Sequence, residues 1–247
     1  MPNLFAFIAT GWELYKKQPV LNRITLWILF PAMWLSSILN NPVLSPLSSN
    51  DTALFPLGLI GAVIIIVLVS VGQVSTLLVA KRLLGHPAGR NRTSIRQVLK
   101  QSQGLIIPLL LTGVLRACFT FLWGLLLIIP GIMYYIRTYF YDVFIVSEHQ
   151  MYRRGLRAST TLAQEKTLTI LLYIIGMYCI LFVPVHILSY VLNTILAPQA
   201  PVTYIAVHAI DSILIAYATM FELLTKTAFM KELNVPLPTI NTVSNTQ

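Results

Sequence analysis

Apolar residues fall along the chain in runs too long and too evenly hydrophobic for the core of a soluble domain. No charged residue occurs from Thr52 to Ala80, and none from Thr167 to Ile210. A membrane-crossing helix needs about 20 predominantly apolar residues, so the first run crosses once. The second is too long for one pass. Asn193, Pro198, Gln199 and Pro201 divide it into helices over about 168–192 and 202–229. The stretch from Leu105 to Val146 holds only Arg116, Arg137 and Asp142 as charges. At about 1.5 Å per residue it is roughly twice the hydrocarbon thickness. Pro130-Gly131 near its middle predicts the turn of a hairpin with passes near 105–129 and 132–147. A further span covers about 54–80. The least continuous, about 21–39, is interrupted by Arg23 and Pro31. The pattern therefore predicts an all-α, polytopic transmembrane helix bundle of six spans in three hairpins, a single membrane domain over 1–233. The stretch 234–247, with two prolines and no charge, reads as a mobile polar tail.

The loop charges give an independent test. Lys16, Lys17 and Arg23 precede or open the first span, and Lys81, Arg82, Arg90, Arg92, Arg96 and Lys100 follow the second. Arg153, Arg154, Arg157 and Lys166 follow the fourth, with Lys226 and Lys231 at the end of the sixth. The intervening loops near 40–53, 130–131 and 193–201 hold no Lys or Arg; only Arg116 and Arg137 lie within spans. This asymmetry fits the positive-inside rule, with both termini in the cytoplasm. It also requires an even number of passes between the two large basic loops.

Composition agrees. Of 247 residues 56% are hydrophobic and 10% charged, and mean hydropathy is +0.76. A soluble domain carries about 25% charge, which excludes a cytosolic enzyme and a nucleic-acid-binding domain. The net charge of +9 is then a membrane-surface property, directed at anionic lipid headgroups. Cys118 and Cys179 both lie in apolar runs, so no disulfide framework or zinc spacing is present, and no cofactor is called for. The first apolar stretch is preceded by Glu13, Lys16 and Lys17 and lacks a small-x-small cleavage site, unlike a signal peptide.

Three basic segments have the spacing of interfacial helices. Leu4, Ile8, Trp12 and Tyr15 recur at helical intervals over 3–17; Ile95, Val98 and Leu99 oppose Arg96 and Lys100; Met151, Leu156 and Leu162 accompany Arg153, Arg154 and Arg157. The chain then reads as three units, each an interfacial helix followed by a membrane hairpin.

Pro130-Gly131-Ile132, then Arg137, then Val146-Ser147-Glu148, then Gly155-Leu156-Arg157-Ala158-Ser159 and Leu162 resembles the signature of the YciC-like family, poorly characterised bacterial inner-membrane proteins. It is also similar to the membrane domain fused to some glycerophosphodiester phosphodiesterases. Gly11-Trp12 with Leu14-Tyr15-Lys16 resembles the family's opening. The chain departs from the pattern with Gly155 where Ala is usual and Glu165 where Gly is common. The resemblance implies a six-span inner-membrane protein without an assigned reaction. The phosphodiesterase catalytic domain has no counterpart in these residues.

Ionisable groups within the membrane cost roughly 2.5–3.5 kcal/mol each and are the first functional candidates. Arg116 and Asp211 fall near mid-bilayer on oppositely directed spans, which predicts an Arg116–Asp211 ion pair; Asp142 is the alternative partner for Arg116. Arg137, His186, His208 and Asp211 fall in the outer half of the bundle. There they form a candidate polar cluster able to hold an anionic headgroup or phosphate. Against this stands a packing role for each, the histidines bonding neighbouring carbonyls and Arg137 reaching the outer headgroups. His208 and Asp211 have i, i+3 spacing, but two ligands do not make a metal site. Tyr134, Tyr135, Tyr139 and Tyr141 with Trp123 suit an interface belt. Glu148-His149 is an acid/base candidate whose structural alternative is helix capping.

No catalytic motif occurs: no His-Glu-x-x-His, Gly-x-Ser-x-Gly, Gly-rich phosphate loop or acidic cluster. The leading expectation is a non-enzymatic, lipid-facing scaffold or membrane-homeostasis factor. The alternative is a small transporter or channel for an anionic solute or lipid headgroup, working alone or as a homo-oligomer.

Overall fold

A computed structural model describes residues 4–39, 55–85, 94–195 and 201–234. Those residues are helical apart from short connections, with no strand among them. The elements are α1 (Leu4–Lys17), α2 (Pro19–Ile24), α3 (Phe30–Leu39), α4 (Phe55–Gly85), α5 (Ile95–Leu126), α6 (Ile128–Arg137), α7 (Tyr141–Glu148), α8 (Arg153–Ala163), α9 (Thr167–Met177), α10 (Val183–Ile195) and α11 (Pro201–Asn234). Four helical stretches, Gly58–Gly85, Ile95–Leu126, Thr167–Thr194 and Ile205–Leu233, are long and apolar enough to cross a membrane. The protein is thus built as a multi-pass, all-α membrane protein. The tail beyond Asn234 and the loops at 40–54 and 196–200 lie outside the described residues.

The predicted first span, 21–39, is a helix over 19–39 that passes through a π turn, Thr25–Leu29. A second π turn, Tyr178–Phe182, joins α9 to α10. Both have one cause. Pro31 and Pro184 each stand two residues beyond a π turn, lack an amide hydrogen, and press their rings on the carbonyl four residues back. The helix absorbs the crowding by widening, and the amides of Phe30 and Val183 bond five residues back, to Thr25 O and Tyr178 O. Pro108 in α5 brings no such turn; there the Thr112 hydroxyl donates to Pro108 O at 2.6 Å.

The stretch 105–147 differs from the expected pair of continuous spans. α5 runs unbroken from Ile95, so the second expected interfacial helix is its first turns. The chain reverses at Leu127 alone, in extended backbone (φ −157°, ψ 129°). Pro130 and Gly131 lie in the first turn of α6, where proline is tolerated. Gly131 instead permits a close crossing. A β-carbon there would stand 2.8 Å from Gly124 Cα, so the glycine lets α6 lie directly on α5. The returning limb is divided at 138–140 into α6 and α7, of ten and eight residues. Neither is long enough alone for a bilayer of about 30 Å.

The expected interfacial helix 3–17 forms, but its apolar face meets protein. Phe7 packs edge-on against Phe229 and Tyr173, Trp12 stacks on Phe221, and Gly11 fits against Thr225. Tyr173 stacks on Phe229 with centroids 4.1 Å apart, and Phe140 joins the same cluster. The well-packed core therefore lies toward the basic end, at the C-terminal parts of α4 and α11 and the start of α9. Toward the other end the helices expose apolar faces, for example Leu59–Val67 of α4 and Ile187–Val191 of α10.

Lysines fasten the basic end. Lys81 donates to Val146 O near the end of α7 (3.3 Å), Lys166 to Leu233 O of α11 (2.7 Å) and Lys231 to Leu84 O of α4 (2.8 Å). Each places a cation at the negative end of a helix, where carbonyls lack intrahelical partners.

Candidate functional site

The candidate chemistry gathers at the break between α6 and α7. Division of a helix frees backbone groups on both sides, and in a dry interior each must find a partner. Ser159 of α8 supplies one side chain for two of them. Its hydroxyl accepts from Phe140 N at 3.1 Å and donates to Arg137 O at 2.9 Å. α8 can approach this closely because of Gly155, whose β-carbon would stand 2.5 Å from Gln150 O.

Just beyond the break, Asp142 in the first turn of α7 forms a buried ion pair with Lys226 of α11, Nζ to Oδ2 2.7 Å, with the two side chains only 7% and 8% exposed. Its Oδ1 accepts from Val143 N at 2.9 Å. Lys226 Nζ also lies 4.1 Å from the Tyr139 ring centroid, and Tyr139 donates its hydroxyl to Glu222 at 3.0 Å. The network thus holds two carboxylates, one ammonium and an aromatic face, joining the α6–α7 break to α11. On the other side of the break, Arg116 donates from Nε to Thr138 Oγ1 and from Nη2 to Tyr135 O, both at 3.0 Å. Its guanidinium lies over the rings of Tyr135 and Tyr141, at 4.3 and 5.1 Å.

These contacts replace the expected pairings. Arg116 pairs with neither Asp211 nor Asp142: its donors serve the carbonyl and hydroxyl at the end of α6, and Asp142 is taken by Lys226. Asp211 keeps one buried carboxylate oxygen without a hydrogen-bond partner. The candidate cluster of Arg137, His186, His208 and Asp211 is not drawn together by hydrogen bonds. Arg137 is half-buried beside the break, with its Nε unpartnered. His186 is exposed on α10, its ring 6.4 Å from that of Tyr178, and His208 Nδ1 lies 2.8 Å from Ser37 Oγ of α3. Among the described residues no hydrogen bond or ion pair joins Arg137 or His186 to the other members, and no group of three or more His, Cys, Asp or Glu is placed to hold a metal. His149 ends α7 in the left-handed conformation (φ 54°), and Glu148 accepts from Gln150 at 2.8 Å. His149 thus closes the helix, and no hydrogen bond joins it to Glu148.

A cavity of about 260 Å³ opens between α4, α7 and α11, lined by apolar side chains such as Leu77, Val143 and Met230. Lys81, Lys231 and Glu148 stand around it. Each lysine gives one hydrogen bond to a helix carbonyl, leaving donors for an anion.

The sequence pattern puts Lys226 among the loop charges, Tyr139 in an interface belt and Ser159 in the family signature, and assigns none of them to a buried site. A signal existed: Glu222 and Lys226 are four apart on one helix, so they share a face. Compared with known families, curated proteins and solved structures, the chain matches no family model, no curated protein and no solved fold.

Proposed function

We propose that the chain is a non-enzymatic, lipid-facing scaffold of the bacterial inner membrane, a member of the YciC-like family, with both termini cytoplasmic. Its basic end binds anionic lipid. The observation that carries this reading is the apolar cavity beside α7, which can take acyl-chain carbons while Lys81 and Lys231 stand at headgroup level. The charge asymmetry supports the orientation. Residues that carry the family resemblance also have definite structural roles, Gly131 in the α5–α6 crossing and Ser159 in seating α8. Transport of an anionic solute would need Arg137, His186, His208 and Asp211 around one path, and their contacts do not support that arrangement.

The test is native mass spectrometry of the full chain released from bilayers containing phosphatidylglycerol. Each lysine near anionic lipid contributes about 1 kcal/mol, so Lys81→Gln with Lys231→Gln should weaken retention of phosphatidylglycerol by roughly 30-fold. Equal retention by variant and parent would sink the cavity as a lipid site.

A further inference from the structure

We infer that the α5–α6 hairpin does not cross the membrane but enters from the basic face and ends at half depth, its tip among the acyl chains of that leaflet. This rests on the reading of the chain as an integral membrane protein and not on the scaffold role.

Three observations carry it. The first is where the hairpin is anchored. Tyr141 lies against Gly113, Asp142 bonds Lys226, and Phe140 packs on Phe229 with centroids 5.8 Å apart. The base of the hairpin is thus level with residues 226–229 of α11, near the C-terminal end of that helix. α8 seals the same level through Ser159 and through Thr112, which accepts from Tyr152 N at 3.1 Å. α8 exposes Arg153, Arg154 and Arg157, and three exposed guanidiniums belong in a headgroup layer, not in hydrocarbon.

The second is length. From Gly113 to Leu126 α5 rises about 20 Å, and the ten residues of α6 cover about 15 Å. α11 runs from Lys226 back to Pro201, about 38 Å. Even standing parallel to α11, the hairpin stops roughly 18 Å short of that helix's far end.

The third is the chemistry of the tip. From Phe121 to Met133 no side chain is charged, and the Trp123 indole is the sole polar group. Leu125 through Ile129 are each at least 66% exposed. A turn in water has no need of such residues; a turn in hydrocarbon does, and it must also satisfy its backbone. Leu127 N donates to Trp123 O at 2.9 Å, Gly131 N donates to Leu127 O at 3.3 Å, and Pro130 has no amide hydrogen to satisfy. The occupant of this surface is therefore acyl chain. Arg116 and Arg137, at the mouth, then lie near the basic-side headgroups, and every Lys and Arg among the described residues falls on one side. Crossings by the helix over 19–39, by α4, by α9 with α10 and by α11, with α5 and α6 as the half-depth hairpin in place of a crossing by α5, keep the parity that the loop charges demand.

The experiment uses the full chain with Cys118→Ser and Cys179→Ser, carrying Leu127→Cys with a nitroxide label, in phosphatidylethanolamine–phosphatidylglycerol bilayers. Depth is read from oxygen against nickel-chelate accessibility. The expected label position is near the bilayer centre, about 15 Å from either edge of a roughly 30 Å hydrocarbon core. A label within about 5 Å of the plane opposite the basic face overturns the proposal. Impermeant maleimide on oriented vesicles gives a second readout. Arg154→Cys should react from one face, Thr194→Cys at the end of α10 from the other, and unlabelled Leu127→Cys from neither. Reaction of Leu127→Cys from the Thr194 side sinks the half-depth hairpin while leaving the lipid-binding test untouched.

Discussion

Lys226 shows how much one side chain can hold when it is buried. Its ammonium meets Asp142, lies over Tyr139 and shares that ring with Glu222. Removing one member of a buried pair strands the other, at a cost of about 3–5 kcal/mol, whereas replacing both with apolar groups can be neutral. Lys226→Met or Asp142→Leu alone should therefore lower the thermal midpoint in detergent sharply, and the double variant should recover most of it. If the double variant is as unstable as the singles, the pair is not the fastening described. Ser159→Ala leaves Arg137 O and Phe140 N without their shared partner, a loss of about 1–3 kcal/mol. Thr161→Ala, on the exposed face of the same helix, serves as control and should change little. Little of this was legible from the chain. Ionisable residues announce that they are costly in a membrane, but their partners depend on how elements stack, and Arg116 found a carbonyl and two tyrosine rings in place of a carboxylate. Composition offered no reason to single out Ser159, because its importance comes from the backbone break it faces.

At the scale of elements, hydrophobic run length located the long helices well, since the cost of exposing apolar residues acts on the whole run. It could not locate the break at 138–140. Thr138-Tyr139-Phe140 contains no glycine or proline, and the division is stabilised from outside by α8. The turn was misplaced for a related reason: Pro130-Gly131 suits a turn, but proline also suits the first turn of a helix. The close α5–α6 crossing yields a sharp prediction. Gly131→Val should force the two helices apart and reduce folded protein, whereas Gly104→Ala, with nothing within 4 Å of its β-carbon, should be neutral or raise stability by up to about 1 kcal/mol through helix propensity. Fluorescence-detected size-exclusion profiles compare the two directly. Equal behaviour would remove the close crossing as the reason for glycine at 131.

Across the whole molecule, the packing is one-sided: aromatic core and lysine caps at the basic end, apolar faces at the other. Charge asymmetry foretold which end was basic, and nothing in the sequence foretold that the same end would carry the core. The lysine caps have a mechanical consequence. α11 is held at its C-terminal end by three bonds that load together when the chain is pulled from the C-terminus: Lys231 to Leu84 O, Lys166 to Leu233 O and Lys226 to Asp142. Drawn out of a bilayer by an atomic-force tip, α11 should resist and then leave in a single high-force event. Lys166→Gln with Lys231→Gln should lower that first peak while sparing the later ones. A chain pulled instead from the N-terminus begins with α1, which meets α11 through the ring contacts of Phe7 and Trp12, and should start to yield at lower force.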